Sequence, residues 1–289
     1  MTKAAFLLAG VLLMAGAAQA QPLRSPTQTK TCASVPAADE QDLATLNGLV
    51  VEPRRFTSLA DLLKGLPPEA MAKIATMQKV AAERQAKDWP WMCRYAAENA
   101  AVLASGIRPE AVFIGDSITE NWKLGDPSLF SATVLDRGIG GQTTPQILLR
   151  FYQDVVALRP RAVHIMAGTN DISGNTGAVT DTAIVDNIRA MIDIAKANGI
   201  RVVLASITPS KEFIARPEVD PSPRIAEVNR SLKHLAVQQR ITFVDYFPLL
   251  VDSGGGLAAA LGNDGLHPNR DGYAVMRPLA VKAMGLPAK

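Results

Sequence analysis

The sequence predicts an α/β fold: a parallel sheet with helices covering both faces, preceded by a helical N-terminal extension. Three observations predict it. From Glu110 onward, short β-rich runs alternate with helical ones, as βα units of a parallel sheet do. The first of these runs, Ala111-Val112-Phe113-Ile114, has no polar residue, as a strand buried on both faces requires. The helical stretch before residue 200 carries Ile184, Ile188, Met191, Ile192 and Ala195 as one apolar stripe, and Gly199 is placed to end it.

In chain order, Lys3, the apolar residues 4–16 and Ala18-Gln19-Ala20 have the pattern of a secretory signal peptide over residues 1–20. The apolar run is shorter than the roughly 20 residues of a membrane span, and Gln21, Arg24 and Ser25 follow at once. A periplasmic or secreted protein without a stable membrane anchor is therefore expected. Residues 21–37, rich in Pro, Ser, Thr and Gln, read as a flexible leader. Residues 38–108 form the helical extension, with short pieces near 40–47 and 58–64 and a longer helix from Pro68 to about Lys87. Asp88 is placed to cap the next helix, with Pro90 in its first turn, where a missing N–H costs little. Trp91, Tyr95 and Val102 fall on one face of that helix and read as core packing rather than a substrate platform.

Residues 109–289 form the second unit, and the extension is not expected to be catalytic by itself. Strands are expected near 111–115, 132–136, 161–167, 201–206 and 241–245. Helices are expected near 144–157, 182–198, 223–239 and 271–284, with a shorter one after Ser117. The whole chain has a net charge of +3, and removing Lys3 with the signal lowers it by one. No basic cluster exceeds Glu52-Pro53-Arg54-Arg55, which argues against nucleic acid and anionic membranes as partners. The two cysteines, Cys32 and Cys93, can pair in an oxidising compartment. The alternative is two unpaired thiols, with Cys93 buried on a helix, and neither version offers the four ligands of a structural zinc site.

The chemistry collects where strands end. Gly115-Asp116-Ser117 closes the first strand at its carboxyl end, where open α/β sheets hold ligands, and Ser117 reads as a nucleophile. Arg137-Gly138-Ile139-Gly140-Gly141-Gln142-Thr143-Thr144 follows the second strand. It reads as a loop with backbone N–H groups turned to a ligand or as a plain strand-to-helix turn. After the third strand, Asn170 offers either a neutral N–H to a developing oxyanion or a turn or helix cap. The base follows by elimination from three histidines. His164 lies inside a strand and His234 on a solvated helix face, leaving His267, with Asp264 three residues before it. A tight turn at Gly265 can bring that carboxylate to the imidazole Nδ1–H and leave Nε2 to take a hydroxyl proton; the alternative, half of a metal site, lacks further well-placed histidines.

In this order the four segments, Gly115-Asp116-Ser117, residues 138–141, Gly168-Thr169-Asn170-Asp171 and residues 264–267, resemble the blocks of the SGNH (GDSL) esterase and lipase superfamily. The resemblance covers residues 111–280. It implies a flavodoxin-like three-layer sandwich whose five-stranded parallel sheet has the order 2-1-3-4-5. It also implies Ser117 as nucleophile, His267 as base, Asp264 as its partner, and an oxyanion hole of Ser117 N–H, Gly141 N–H and the Asn170 side chain. Thr169 stands where many members have Gly, and Asp136 where Asn is frequent. The branch most similar comprises platelet-activating factor acetylhydrolase and secreted carbohydrate acetylesterases, which implies removal of short acyl groups from a carbohydrate or other small ester. Neither metal nor organic cofactor is expected. Asp116, Ile118 and Thr119 are expected at the substrate, with the loops 172–180, 207–220 and 246–263 shaping the pocket. Two other readings are a lysophospholipase or thioesterase acting on longer chains, and a non-catalytic protein that cradles an anion on residues 138–144. That loop matches neither Gly-x-Gly-x-x-Gly nor a P-loop.

Overall fold

The structure, a computed structural model, describes residues 32–36, 45, 47–48, 51, 64, 68–213 and 218–287. The expected signal peptide lies outside these residues, as do most of the two short helices near 40–47 and 58–64 and the leader apart from residues 32–36, in which Cys32–Ser34 form a 3-10 turn. Two helices of the extension are described, α1 (Pro68–Lys87) and α2 (Ala96–Ser105). After them come β1 (Ala111–Gly115), α3 (Ser117–Gly125), β2 (Val134–Gly138) and α4 (Thr144–Phe151), which widens into a π turn over Tyr152–Val156. Then follow β3 (Ala162–Met166), the short α5 (Thr169–Ser173), α6 (Asp181–Ala197), β4 (Arg201–Ala205) and α7 (Ser222–Gln239). The described chain closes with β5 (Thr242–Val244), α8 (Phe247–Leu250) and α9 (Arg270–Met284). Among the described residues no helix is long and apolar enough to cross a membrane.

The five strands pair in parallel in the order 2-1-3-4-5, so the α/β architecture is the expected one. Side chains on a strand alternate between the two faces, and both faces of β1 are buried. Val112 and Ile114 join Val163, Ile165, Ile184, Ile188 and Val228 in one core layer, which α4, α6 and α7 cover. Ala111 and Phe113 join Trp122, Tyr246, Tyr273 and Met276 in the other, which α3 and α9 cover. Fully burying such a side chain contributes about 1.5–3 kcal/mol, and sequential βα units place all the strands' carboxyl ends at one edge of the sheet. His164 belongs to the second layer. It stacks on Phe113 with ring centroids 4.7 Å apart, and its Nε2 lies 3.0 Å from the Tyr246 hydroxyl. Burial lowers its pKa to about 3, which makes it a neutral core residue. His234 lies exposed on α7, 2.9 Å from Gln238 Nε2.

Two boundaries differ from the expectation. β2 starts and ends two residues later than its apolar run, because the arginine and glycine after that run continue the ladder. Arg137 pairs with Ile114 and Gly138 with Gly115, and the Arg137 guanidinium is accommodated by Asn99 Oδ1 at 2.8 Å and Glu98 at 3.3 Å. The helix expected from Asp88 begins only at Ala96. Residues 88–95 form a turn instead, in which Trp91 adopts φ +50°, the left-handed conformation that is strained for a bulky residue and ends a helical path. Asp88 holds this turn, its carbonyl accepting from Trp91 N–H at 2.8 Å and its carboxylate from Cys93 N–H at 2.9 Å. Cys93 therefore sits in a turn rather than on a helix, and a disulfide joins it to Cys32.

Candidate active site

α3 starts immediately after β1 because Asp116 caps it, Oδ1 accepting from Ile118 N–H at 3.0 Å. Ser117 is the first residue of that helix, so its N–H belongs to the turn that has no intrahelical partner. The helix can come this close to the sheet because β2 ends in glycine. A β-carbon on Gly138 would fall 2.1 Å from the Glu120 nitrogen. On its far side α3 is tied to α9, the Tyr273 hydroxyl donating to the Ile118 carbonyl at 2.8 Å.

The segment ahead of α9 brings the histidine back to Ser117 from 150 positions away. Gly265, at φ +80°, turns the chain between Asp264 and His267, a conformation that an L side chain enters only under strain. Asp264 Oδ1 accepts from Leu266 N–H at 3.0 Å and His267 N–H at 2.8 Å, while Oδ2 lies 2.6 Å from His267 Nδ1. His267 Nε2 stands 2.9 Å from Ser117 Oγ. Burial pulls the His267 pKa down, but the Asp264 carboxylate, with Asp116 behind it, outweighs this and leaves it above the ordinary histidine value. Burial likewise pushes Asp264 up, yet His267 and the two N–H donors hold it at about 2. The carboxylate fixes the proton on Nδ1, so the Nε2 lone pair faces the hydroxyl.

On the other side of Ser117 lies the loop after β2. Its Gly140 N–H is taken by Glu120 Oε2 at 2.8 Å, whereas Gly141 N–H has no acceptor among the described residues. Asn170, at the start of α5, donates one Nδ2–H to the Gln142 carbonyl at 3.0 Å, and its Oδ1 accepts from Asn175 Nδ2 at 2.9 Å. With the oxygen occupied, the amide orientation is fixed, and the second Nδ2–H remains to be offered. Asn175 Nδ2 also lies 3.1 Å from the Gly141 carbonyl, so one side chain holds both the loop and the asparagine. Asp171 accepts from Thr144 N–H at 2.9 Å and Oγ1–H at 2.6 Å, tying the start of α4 to α5. Beneath these groups Arg150 is wholly buried. Its guanidinium donates to the carbonyls of Gly115 at 2.9 Å and Arg137 at 2.8 Å, to Gln142 Oε1 at 2.5 Å and to Asp154 at 3.0 Å.

The structure thus brings Ser117, His267, Asp264, Gly141 and Asn170 to one edge of the sheet. It does not place Asp116, Ile118 and Thr119 at a substrate. All three are buried, Asp116 as the helix cap, Ile118 in the core and Thr119 where Gly115 leaves room for its hydroxyl. A helix that starts at the nucleophile must turn its next residues into the sheet. Of the three expected pocket loops, residues 214–217 lie outside the described residues. Asn175, Glu120 and Arg150 also belong to the site, and the sequence does not mark them. An acid in a first helical turn is too common to single out Glu120, and nothing local marks Asn175 or Arg150.

Residues 113–275, more than half of the chain, match the family model described as GDSL-like Lipase/Acylhydrolase. A GDSL-like lipase from Bacteroides thetaiotaomicron VPI-5482 is 38% identical and superposes with a TM-score of 0.65, covering 68% of this chain and 98% of that one. Axe2, an acetylxylan esterase from Geobacillus stearothermophilus, is 20% identical over 62% of this chain and 96% of its own, with a TM-score of 0.50, a likeness of fold. Over 79 residues the chain is 34% identical to the uncharacterised lipoprotein YqeF of Bacillus subtilis (strain 168), which is 26% of this chain. The chain spans about a third, 32%, of the length of that curated relative.

Proposed function

Given that this chain belongs to the GDSL-like lipase/acylhydrolase family, a family of ester hydrolases, we propose that it works through an acyl-enzyme on Ser117. The unbroken contact chain from Ser117 Oγ to His267 Nε2 and from His267 Nδ1 to Asp264 carries the proposal. In the first step Ser117 Oγ attacks the ester carbonyl as its proton passes to His267 Nε2. The carbonyl π electrons move onto oxygen, which takes hydrogen bonds from Ser117 N–H, Gly141 N–H and Asn170 Nδ2–H. When the intermediate collapses, the C–O bond to the alcohol breaks and His267 returns the proton to the leaving oxygen. Water then attacks the acyl carbon with the same base, and the Ser117–acyl bond breaks. Asp264 stays ionised throughout and stabilises the imidazolium.

The acyl group is short and the alcohol is a carbohydrate or another small molecule. The strand-end segments, Gly115 to Thr119 and residues 138–141 and 168–171, support this finer reading, since they resemble those of the branch of platelet-activating factor acetylhydrolase and secreted carbohydrate acetylesterases. The protein works outside the cytoplasm, a reading supported by the signal pattern of residues 1–20 and by the Cys32–Cys93 disulfide. Two measurements on wild type and Ser117→Ala test the mechanism, labelling by a fluorophosphonate and hydrolysis of 4-nitrophenyl acetate. Wild type should react in both, and the folded alanine variant in neither. Undiminished hydrolysis by that variant would overturn the acyl-enzyme reading. A rate that rises steeply from acetate to long-chain esters would overturn the short-acyl one.

A further inference from the structure

Residues 88–99 are fastened to the catalytic loop and not merely laid beside it. Gln142 Nε2 donates to the Pro90 carbonyl and Gln146 Nε2 to the Trp89 carbonyl, at 2.8 and 2.9 Å, and the Tyr95 hydroxyl donates to the Gly138 carbonyl. Between this turn and the loop is a cavity of about 150 Å³, with Gly140, Gly141 and Asn175 on one wall and Arg84, Trp89 and Trp91 on the other. In the proposed mechanism Gly141 and Asn175 are respectively an oxyanion donor and the anchor of the other, so the cavity adjoins the oxyanion loop. Its volume is well under the 300–1,000 Å³ of drug-sized sites and suits a single ring.

The cationic group on this wall is Arg84, which the Asp88 and Glu120 carboxylates and the Arg94 guanidinium influence at a distance. The Arg84 guanidinium carbon lies 3.4 Å from the centroid of the Trp91 ring, and no described residue hydrogen-bonds or ion-pairs with Arg84. The acids around it, of which Asp88 also lines the cavity, bond to other groups. Asp88 accepts from Cys93 N–H at 2.9 Å, while Glu120 is shared by Gly140 N–H at 2.8 Å and Arg94 at 3.5 Å. Trp91 holds a left-handed backbone at φ +50° in the turn closed by Cys93, and strain of this kind collects where a side chain must be aimed. Guanidinium donors left open in a half-buried site match a carboxylate in geometry.

We propose that this cavity binds the alcohol part of the ester, and that this alcohol is a single ring carrying a carboxylate that Arg84 recognises. The proposal rests on the short-acyl reading above, since an acetyl group offers little to recognise and the alcohol must then supply the specificity. Two matched pairs of esters test it. One is 4-acetoxybenzoate against its methyl ester, and the other is an acetylated methyl glucuronoside against the corresponding glucoside. The pairs separate an aromatic from a sugar ring. Each rate is divided by the uncatalysed hydroxide rate to remove leaving-group differences. Wild type should favour the carboxylate member of at least one pair through KM. Arg84→Met should lower kcat/KM for that member about tenfold more than for the neutral one, and Arg84→Lys should keep part of the preference. The methionine keeps an apolar stem on Trp91, and an unchanged Tm verifies folding. Should it fail to fold, Arg84→Gln serves as the neutral variant. No preference in either pair, or equal losses for both members in the neutral variant, would overturn the subsite and leave the esterase reading intact. Ser117-independent hydrolysis of the neutral esters would strike the esterase reading instead.

Discussion

His267 must be neutral at Nε2 to accept the Ser117 proton, so acid titrates the reaction away. Because Asp264 holds the imidazole above its ordinary value, kcat/KM should rise with pH through a midpoint above about 6.5. Asp264→Asn should lower both the midpoint and the plateau, and a pH–rate profile of the two proteins checks this. The same shift has a stability consequence of opposite sense. A raised histidine pKa stabilises the fold below the unfolded value near 6.5, and this is lost as pH rises through the folded value. The depressed Asp264, at about 2, contributes above its unfolded value of about 3.8 and is lost only as pH falls through about 2. The protein should therefore stay folded at mildly acidic pH while it is catalytically idle. Asn170→Ala should reduce kcat by about 100- to 1000-fold with little change in KM, the cost of one oxyanion donor. Asn175→Ala removes the anchor but not the donor and should lose less, which the same steady-state assay reads.

At the scale of elements, the site depends on how two strand ends and one helix meet. Arg150 extends from α4 to the last carbonyls of β1 and β2 and to Gln142 in the catalytic loop. Removing it leaves the Asp154 charge without its buried cation and Gln142 Oε1 without this donor, and breaking a buried pair costs about 3–5 kcal/mol. Arg150→Met should show that loss in urea unfolding. Any folded fraction should have a reduced kcat, because Gln142 carries the carbonyl that orients Asn170. The elements themselves were legible to different degrees. β1 and α6 announce themselves through an unbroken apolar run and a periodic stripe, and the loop ahead of α9 through its histidine. β2 lies two residues beyond its expected place because Arg137 and Gly138 look like the start of a turn. Their place in the ladder depends on β1 beside them and on Asn99 and Glu98 of the extension, which no local pattern encodes.

For the molecule as a whole, the N-terminal part carries its own covalent clamp, which ties Cys32 to the turn before α2. The Cys32–Cys93 disulfide closes a separation of 61 positions, and removing such a bond typically costs about 2–5 kcal/mol. Cys93→Ser, or reduction of the wild type, should lower Tm measurably in calorimetry, and an unchanged Tm would mean that the clamp adds nothing to the folded state. The clamp lies two residues from Trp91, so its loss should also loosen the wall of the cavity beside Gly141.

The sequence by itself determined the chemistry. Serine, histidine and aspartate of the required types stand at the ends of recognisable strands and loops, and the βα alternation already obliges those ends to meet at one edge of the sheet. It also determined the reach from Asp264 to His267, since a three-residue turn with a glycine is a local matter. Tertiary structure alone decided which neighbours orient these groups. Asn175, Glu120 and Arg150 act across 5, 20 and 35 positions of chain, and only packing selects such partners. It likewise turned Ile118 and Thr119 inward and broke the expected helix at Trp91, because burial, a disulfide and hydrogen bonds to a distant loop together outweigh the local preference of a few residues.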